Sequence, residues 1–269
     1  MKKIISFCFL LLPLLGHAYK EYSVGDTLYV WALSGLSLRA APSTDSLRKS
    51  VIPYGAALVI ENHPTGFLQV KIMDPMPHEE RKRWGFWTWS SIKDNCLELR
   101  PFHLKGHWVQ VKYGNETGYV FDGYLSRLPA MKYVSKKKVG SNISYLKREN
   151  FVDYAAREFG LVEKTGYEKP ETSNYQYTFR RGISFSGRSQ ENYSESCFVF
   201  NDITLEEGFL FFNVLWNSTI YPYDGYDLMA DLKLTFHAEN KVIWLNSELN
   251  TVEIQLIGAS ILAISISSG

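Results

Sequence analysis

The chain has 269 residues and a formal net charge of +1, so it lacks the basic excess expected of a nucleic-acid-binding protein. Its length exceeds one typical domain and favours two units, each able to bury a core. Cysteine is scarce, at three residues, which excludes a small disulfide-stapled scaffold.

Met1 to Ala18 opens with Lys2 and Lys3, continues through an apolar run from Ile4 to Leu15, and closes on Gly16 and Ala18. That order reads as a secretory signal peptide cleaved after Ala18, and it implies an exported protein, periplasmic or secreted. Cys8 lies inside the apolar run, so a lipid-anchored cysteine at the cleavage point is not supported. Without Lys2 and Lys3, two of the 29 basic residues, the exported chain is nearly neutral against its 28 acidic residues. No later run reaches the length of a membrane-spanning helix, so no membrane span is expected after cleavage. Cys96 and Cys197 remain, and an oxidising compartment leaves open both a disulfide and two buried thiols.

Thr27 to Trp31 is β-branched and aromatic and suits a first strand, which Gly35 ends. Leu36-Ser37-Leu38-Arg39 alternates, Pro42 to Ser46 is a loop, and Val51 to Gly55 leads into a strand at Ala57 to Ile60. Phe67 to Ile72 is a further strand. Trp108 to Leu128 holds a hairpin: Val109, Val111 and Tyr113 alternate with Gln110 and Lys112, Gly114 to Gly118 turns, and Tyr119-Val120-Phe121 returns.

Leu36, Leu38, Arg39, Pro42, Ser43 and Gly55, followed by Trp108, Val111, Gly118, Tyr119 and Val120, resemble the bacterial SH3-like domain over about Gly25 to Leu128. The resemblance implies a small export-associated barrel, residues 19–130, that binds cell-wall peptides or glycans or targets a neighbouring domain to the wall. Met73 to Gly106 departs from the family as a long insertion, residues 73–106, expected to form extra strands or an ordered binding loop. In such barrels loop aromatics line the ligand groove, which singles out Tyr54, Trp84, Trp87, Trp89, Tyr119 and Tyr124.

Within the insertion, Arg81-Lys82-Arg83 adjoins Trp84, Trp87 and Trp89. Aromatic faces beside hydrogen-bonding groups stack on sugars or capture peptides, whereas Trp87 and Trp89 at period two also suit a core-facing strand. His103 and His107 would share a face on a helix and begin a zinc site together with His63, His78 or Cys96. Pro101 and Gly106 oppose that helix and no standard ligand set completes it, so neither metal nor cofactor is expected.

Lys132 to Gly140 reads as a polar linker that opens the second unit, residues 131–269. Phe151, Val152, Ala155, Ala156 and Phe159 form one apolar face of a short helix that stops at Gly160. Strands follow at Tyr175 to Phe179, Gly182 to Phe185 and Cys197 to Phe200. Thr204 and Glu207 form a capping box that opens a second helix. Four further strands, Asp231 to His237, Lys241 to Asn246, Thr251 to Ile257 and Ser260 to Ser267, complete an antiparallel sheet with the two helices on one face.

The chain is thus mainly β: an SH3-like barrel with a long insertion, then an α+β domain. Two catalytic alternatives stand beside the binding reading. Cys197 and His237 are the residue types of a wall-remodelling cysteine peptidase, although Cys197 falls in a strand and not at a helix-opening turn. Glu206, Glu207, Asp224 and Asp227 supply carboxylates, of which Glu206 and Glu207 are explained by a helix's first turn. A scaffold or accessory subunit is the remaining alternative.

Overall fold

A computed structural model describes residues 22–74, 101–139, 143–169, 171–218, 233–238, 242–246, 250–257 and 261–268. Two eight-stranded antiparallel sheets and a two-stranded ribbon make up most of it.

The first sheet contains β1 (Thr27–Val30), β2 (Leu36–Arg39), β3 (Arg48–Ile52), β4 (Ala57–Ile60), β5 (Thr65–Met73), β6 (Phe102–Tyr113), β7 (Glu116–Phe121) and β8 (Leu125–Ser126). Its order is β3-β2-β7-β6-β4-β1-β8, with β5 also paired to β6. One face folds back on itself. Leu28, Val30, Leu38, Ile52, Leu58, Ile60, Val109, Val111, Val120 and Leu125, from seven strands, bury one another in a single cluster.

The expected closed barrel is not formed: the hydrogen-bonded path ends at β3 and β8, which do not pair among the described residues. β8 is only two residues long, and β3 exposes Arg48 and Lys49, a charged edge that resists further pairing. Close approach fixes two glycines. Gly35 has φ +84° and a Cβ there would meet Val51 and the Ile52 carbonyl, while a Cβ on Gly118 would meet the Arg39 carbonyl at 2.6 Å.

The described ends of the insertion lengthen the β5–β6 hairpin, with Lys71 opposite His103 and Met73 opposite Phe102. Residues 75–100, and with them Trp84, Trp87, Trp89 and Cys96, lie outside the described residues, as does the proposed signal peptide.

Residues 132–140, read as a linker, contribute instead β9 (Tyr133–Val139), paired with β10 (Ile143–Arg148). The lysine run concealed the strand because charge, not alternation, dominates that stretch. Helix α1 (Phe151–Phe159) is capped by the Asn150 side chain, which accepts from the Asp153 N–H at 2.9 Å, and stops at Gly160 with φ 75°.

The second sheet runs β11 (Leu161–Glu168), β12 (Ser173–Phe179), β13 (Ser184–Gln190), β14 (Tyr193–Asn201), β18 (Ile261–Ser268), β17 (Asn250–Ile257), β16 (Val242–Asn246) and β15 (Lys233–Ala238) in spatial order. Phe179, Phe185, Phe198 and Phe200 line the face under α1, and Phe151 meets all four rings with centroids 4.9–6.0 Å away. Helix α2 (Leu205–Ser218) lies on β17 and β18, pressed close by Gly208, where a Cβ would run into Leu262.

The two halves share a core. Trp31 and Phe102 of the first sheet meet Phe211 and Phe209 of α2 at 5.8 and 4.8 Å between centroids. Among the described residues, no helix is long and apolar enough to cross a membrane.

Candidate functional site

The site begins where β1 runs out. Trp31 continues from that strand with its ring on α2 and its indole N–H donated to the Leu128 carbonyl at 2.8 Å, so it is a fixed wall. Ala32 to Gly35 then turn the chain into β2, whose outward residues are Ser37 and Arg39. One guanidinium nitrogen of Arg39 donates to the Ser46 carbonyl at 2.7 Å, tying down the β2–β3 loop.

The opposite wall comes from the end of β7 and the short turn after it. Phe121 and Tyr124 meet edge to face at 5.8 Å. Buried Asp122 anchors this turn: it accepts the His107 N–H at 2.6 Å and the Tyr22 hydroxyl. Burial raises the hydroxyl pKa of Tyr124 above its ordinary value, so this phenol remains a neutral hydrogen-bonding group.

Between these walls lies an open cleft of about 440 Å³, a size suited to a small ligand. Nearly buried Trp31, Trp108 and Phe121 and half-buried Tyr124 line it, with Leu68 and Val70 of β5 and Leu210 and Asn213 of α2. Among the described residues, Arg39 is the only charged one lining it. An apolar, aromatic cavity with a cation and a few polar groups is equipped to bind and orient a ligand.

The sequence-derived candidates are dispersed relative to this cleft. Tyr124 lines it. Tyr54 instead donates to the Met131 carbonyl at 3.2 Å and lies under the Arg148 guanidinium at 4.9 Å, occupied in the joint between the first sheet and the ribbon. Tyr119 is half-buried on β7 opposite Gln110 and packs against the shared core. Trp84, Trp87 and Trp89 lie outside the described residues.

The chain matches no protein-family model, no curated protein and no solved structure. The site therefore rests on geometry alone. The residues that sequence reading passed over are Trp31, Trp108 and Arg39, visible there only as strand or motif positions, and Leu210 and Asn213. Arg39 on β2, Trp108 on β6 and Trp31 just after β1 face away from the first sheet's own core, whose members Leu38, Val109 and Val30 precede or follow them, which is a usable signal; the helix pair joins them only through tertiary packing.

The catalytic alternatives fare differently. Cys197 is a free, half-buried thiol on β14, while His237 belongs to β15, four strands away across the sheet. At a strand spacing of about 4.8 Å the two backbones are roughly 19 Å apart, far beyond hydrogen-bond reach. Glu207 is committed to structure: the Thr204 N–H donates to its carboxylate at 3.0 Å and its own N–H donates to Thr204 Oγ1 at 3.2 Å. Asp224 and Asp227 lie outside the described residues. His103 and His107 occupy one strand, not a helix, so they are separated by about 13 Å and cannot share an ion.

Proposed function

We propose that this chain is an exported, non-catalytic binding protein of the cell envelope, whose SH3-like first half recognises a cell-wall peptide or glycan or an envelope protein. The observation that carries the reading is the aromatic cleft bounded by Trp31, Trp108, Phe121 and Tyr124. Support for the SH3-like relationship comes from the motif residues. Leu36 and Leu38 sit in the self-packed core of the first sheet, and Gly118 allows β2 and β7 to approach. Export rests on the Met1–Ala18 segment alone.

A second reading, an accessory subunit held by a partner protein, draws on β11. All eight of its residues are exposed, and among the described residues it pairs with β12 alone, an edge to which a partner's strand could add.

The test is co-sedimentation of the chain from Tyr19 to Gly269 with purified peptidoglycan, followed by analysis of the supernatant for released fragments. Pelleting without release is the expected result. Absence of pelleting would transfer the case to the accessory-subunit reading, and released fragments would overturn the non-catalytic assignment.

A further inference from the structure

The cleft is chemically one-sided, and that restricts its ligand. Among the described residues no aspartate or glutamate lines it, and Arg39 is its only charge. Arg39 is half-buried, and among the described residues its guanidinium donates to a neutral carbonyl, that of Ser46. A guanidinium offers five N–H donors in a planar fork, and among the described residues that of Arg39, which lines the cleft, has no carboxylate partner. The same cleft is lined by the aromatic and aliphatic residues Trp31, Trp108, Tyr124, Leu68 and Val70 together with Ser37 and Thr44. A half-buried guanidinium in a largely apolar cleft favours an anion that can accept two parallel hydrogen bonds.

Building on the reading of this cleft as the binding site, we propose that it takes the C-terminal end of a short peptide. The free α-carboxylate pairs with Arg39, and the apolar side chains of the last residues lie against half-buried Tyr124, Leu68 and Val70. A chain end meets both demands within about 440 Å³, because it places a carboxylate directly beside apolar side chains and leaves no further backbone to house. Tyr124, kept neutral by burial, is available to donate to the terminal peptide carbonyl. Ser37 and Thr44 supply further hydroxyls at the rim.

The experiment is calorimetric titration of the whole chain with three probes: acetyl-Leu-Ala with a free carboxylate, the same dipeptide as its C-terminal amide, and acetyl-Leu-Asp with an amidated C-terminus. The free acid is expected to bind at least about tenfold more tightly than the amide, the usual magnitude of a charge-assisted hydrogen bond. Arg39→Gln should erase that ratio while leaving the amide's weak affinity. Arg39→Lys should retain part of it, since the charge stays and the fork is lost. The acid-to-amide ratio of the unsubstituted protein decides the matter even if an Arg39 variant fails to fold. Equal affinity for acid and amide would overturn the proposal, as would tighter binding of the internal aspartate. If no probe binds, the proposal fails while wall co-sedimentation, if it persists, keeps the broader binding reading intact.

Discussion

At the residue scale, several buried polar groups act as fasteners. Glu207 is 4% exposed and has two tasks: it completes the cap of α2, and it accepts the Ser126 hydroxyl at 2.7 Å and the Arg127 N–H at 3.3 Å from the first sheet. Glu207→Ala would strand these donors in the shared core, and a loss of about 2–4 kcal/mol is expected in denaturant unfolding. Phe151 sits among the rings of Phe179, Phe185, Phe198, Phe200 and Phe211, so Phe151→Ala should cost about 3–5 kcal/mol. A thermal melt would register either change. Tyr22 and Tyr154 both have raised hydroxyl pKa values, chiefly because burial penalises the phenolate. Their folded pKa exceeds the unfolded value of about 10, so their contribution is fully present below that pH and declines as pH rises above it. Stability measured between pH 8 and 11 should therefore fall at the alkaline end, and Tyr22→Phe with Tyr154→Phe should flatten the fall.

At the scale of elements, legibility followed burial. Helix α1 could be read from its apolar face, Asn150 and Gly160, and α2 from Thr204 and Glu207, because capping is local chemistry written in adjacent residues. The strands of the alternating hairpin at Val109 to Phe121 were equally plain. β11 went unread for the opposite reason: with every residue exposed it has no apolar face, and only its pairing with β12 makes it a strand. β3 and the lysine-rich β9 share that character of being specified by partners. The cleft was legible in part. Tyr124 could be named from its loop, but its meeting with Leu210 and Asn213 depends on how α2 crosses the first sheet. Amide exchange checks this ordering of elements: β14 and β18, central in the sheet with buried residues such as Phe200 and Leu262, should exchange slowest, and edge strand β11 among the fastest of that sheet.

At the scale of the whole molecule, α2 joins what the chain order divides. The boundary near residue 130 separates two sheets in sequence, yet Trp31, Phe102, Leu104, Trp108 and Phe121 belong to the same buried cluster as Phe209, Phe211, Val252 and Leu262. Unfolding is therefore expected as one transition, with tryptophan fluorescence and circular dichroism giving coincident midpoints. The same packing explains why the cleft is a preformed feature: its back wall is a helix fixed by the second sheet, and its front walls are strand residues of the first. The measurement that tests the binding account most directly is hydrogen–deuterium exchange of the whole chain with and without soluble peptidoglycan fragments. Protection is expected at residues 31–39, 68–70, 121–124 and 210–213 together. Protection confined to the second sheet's edge at β11, or none anywhere, would contradict it.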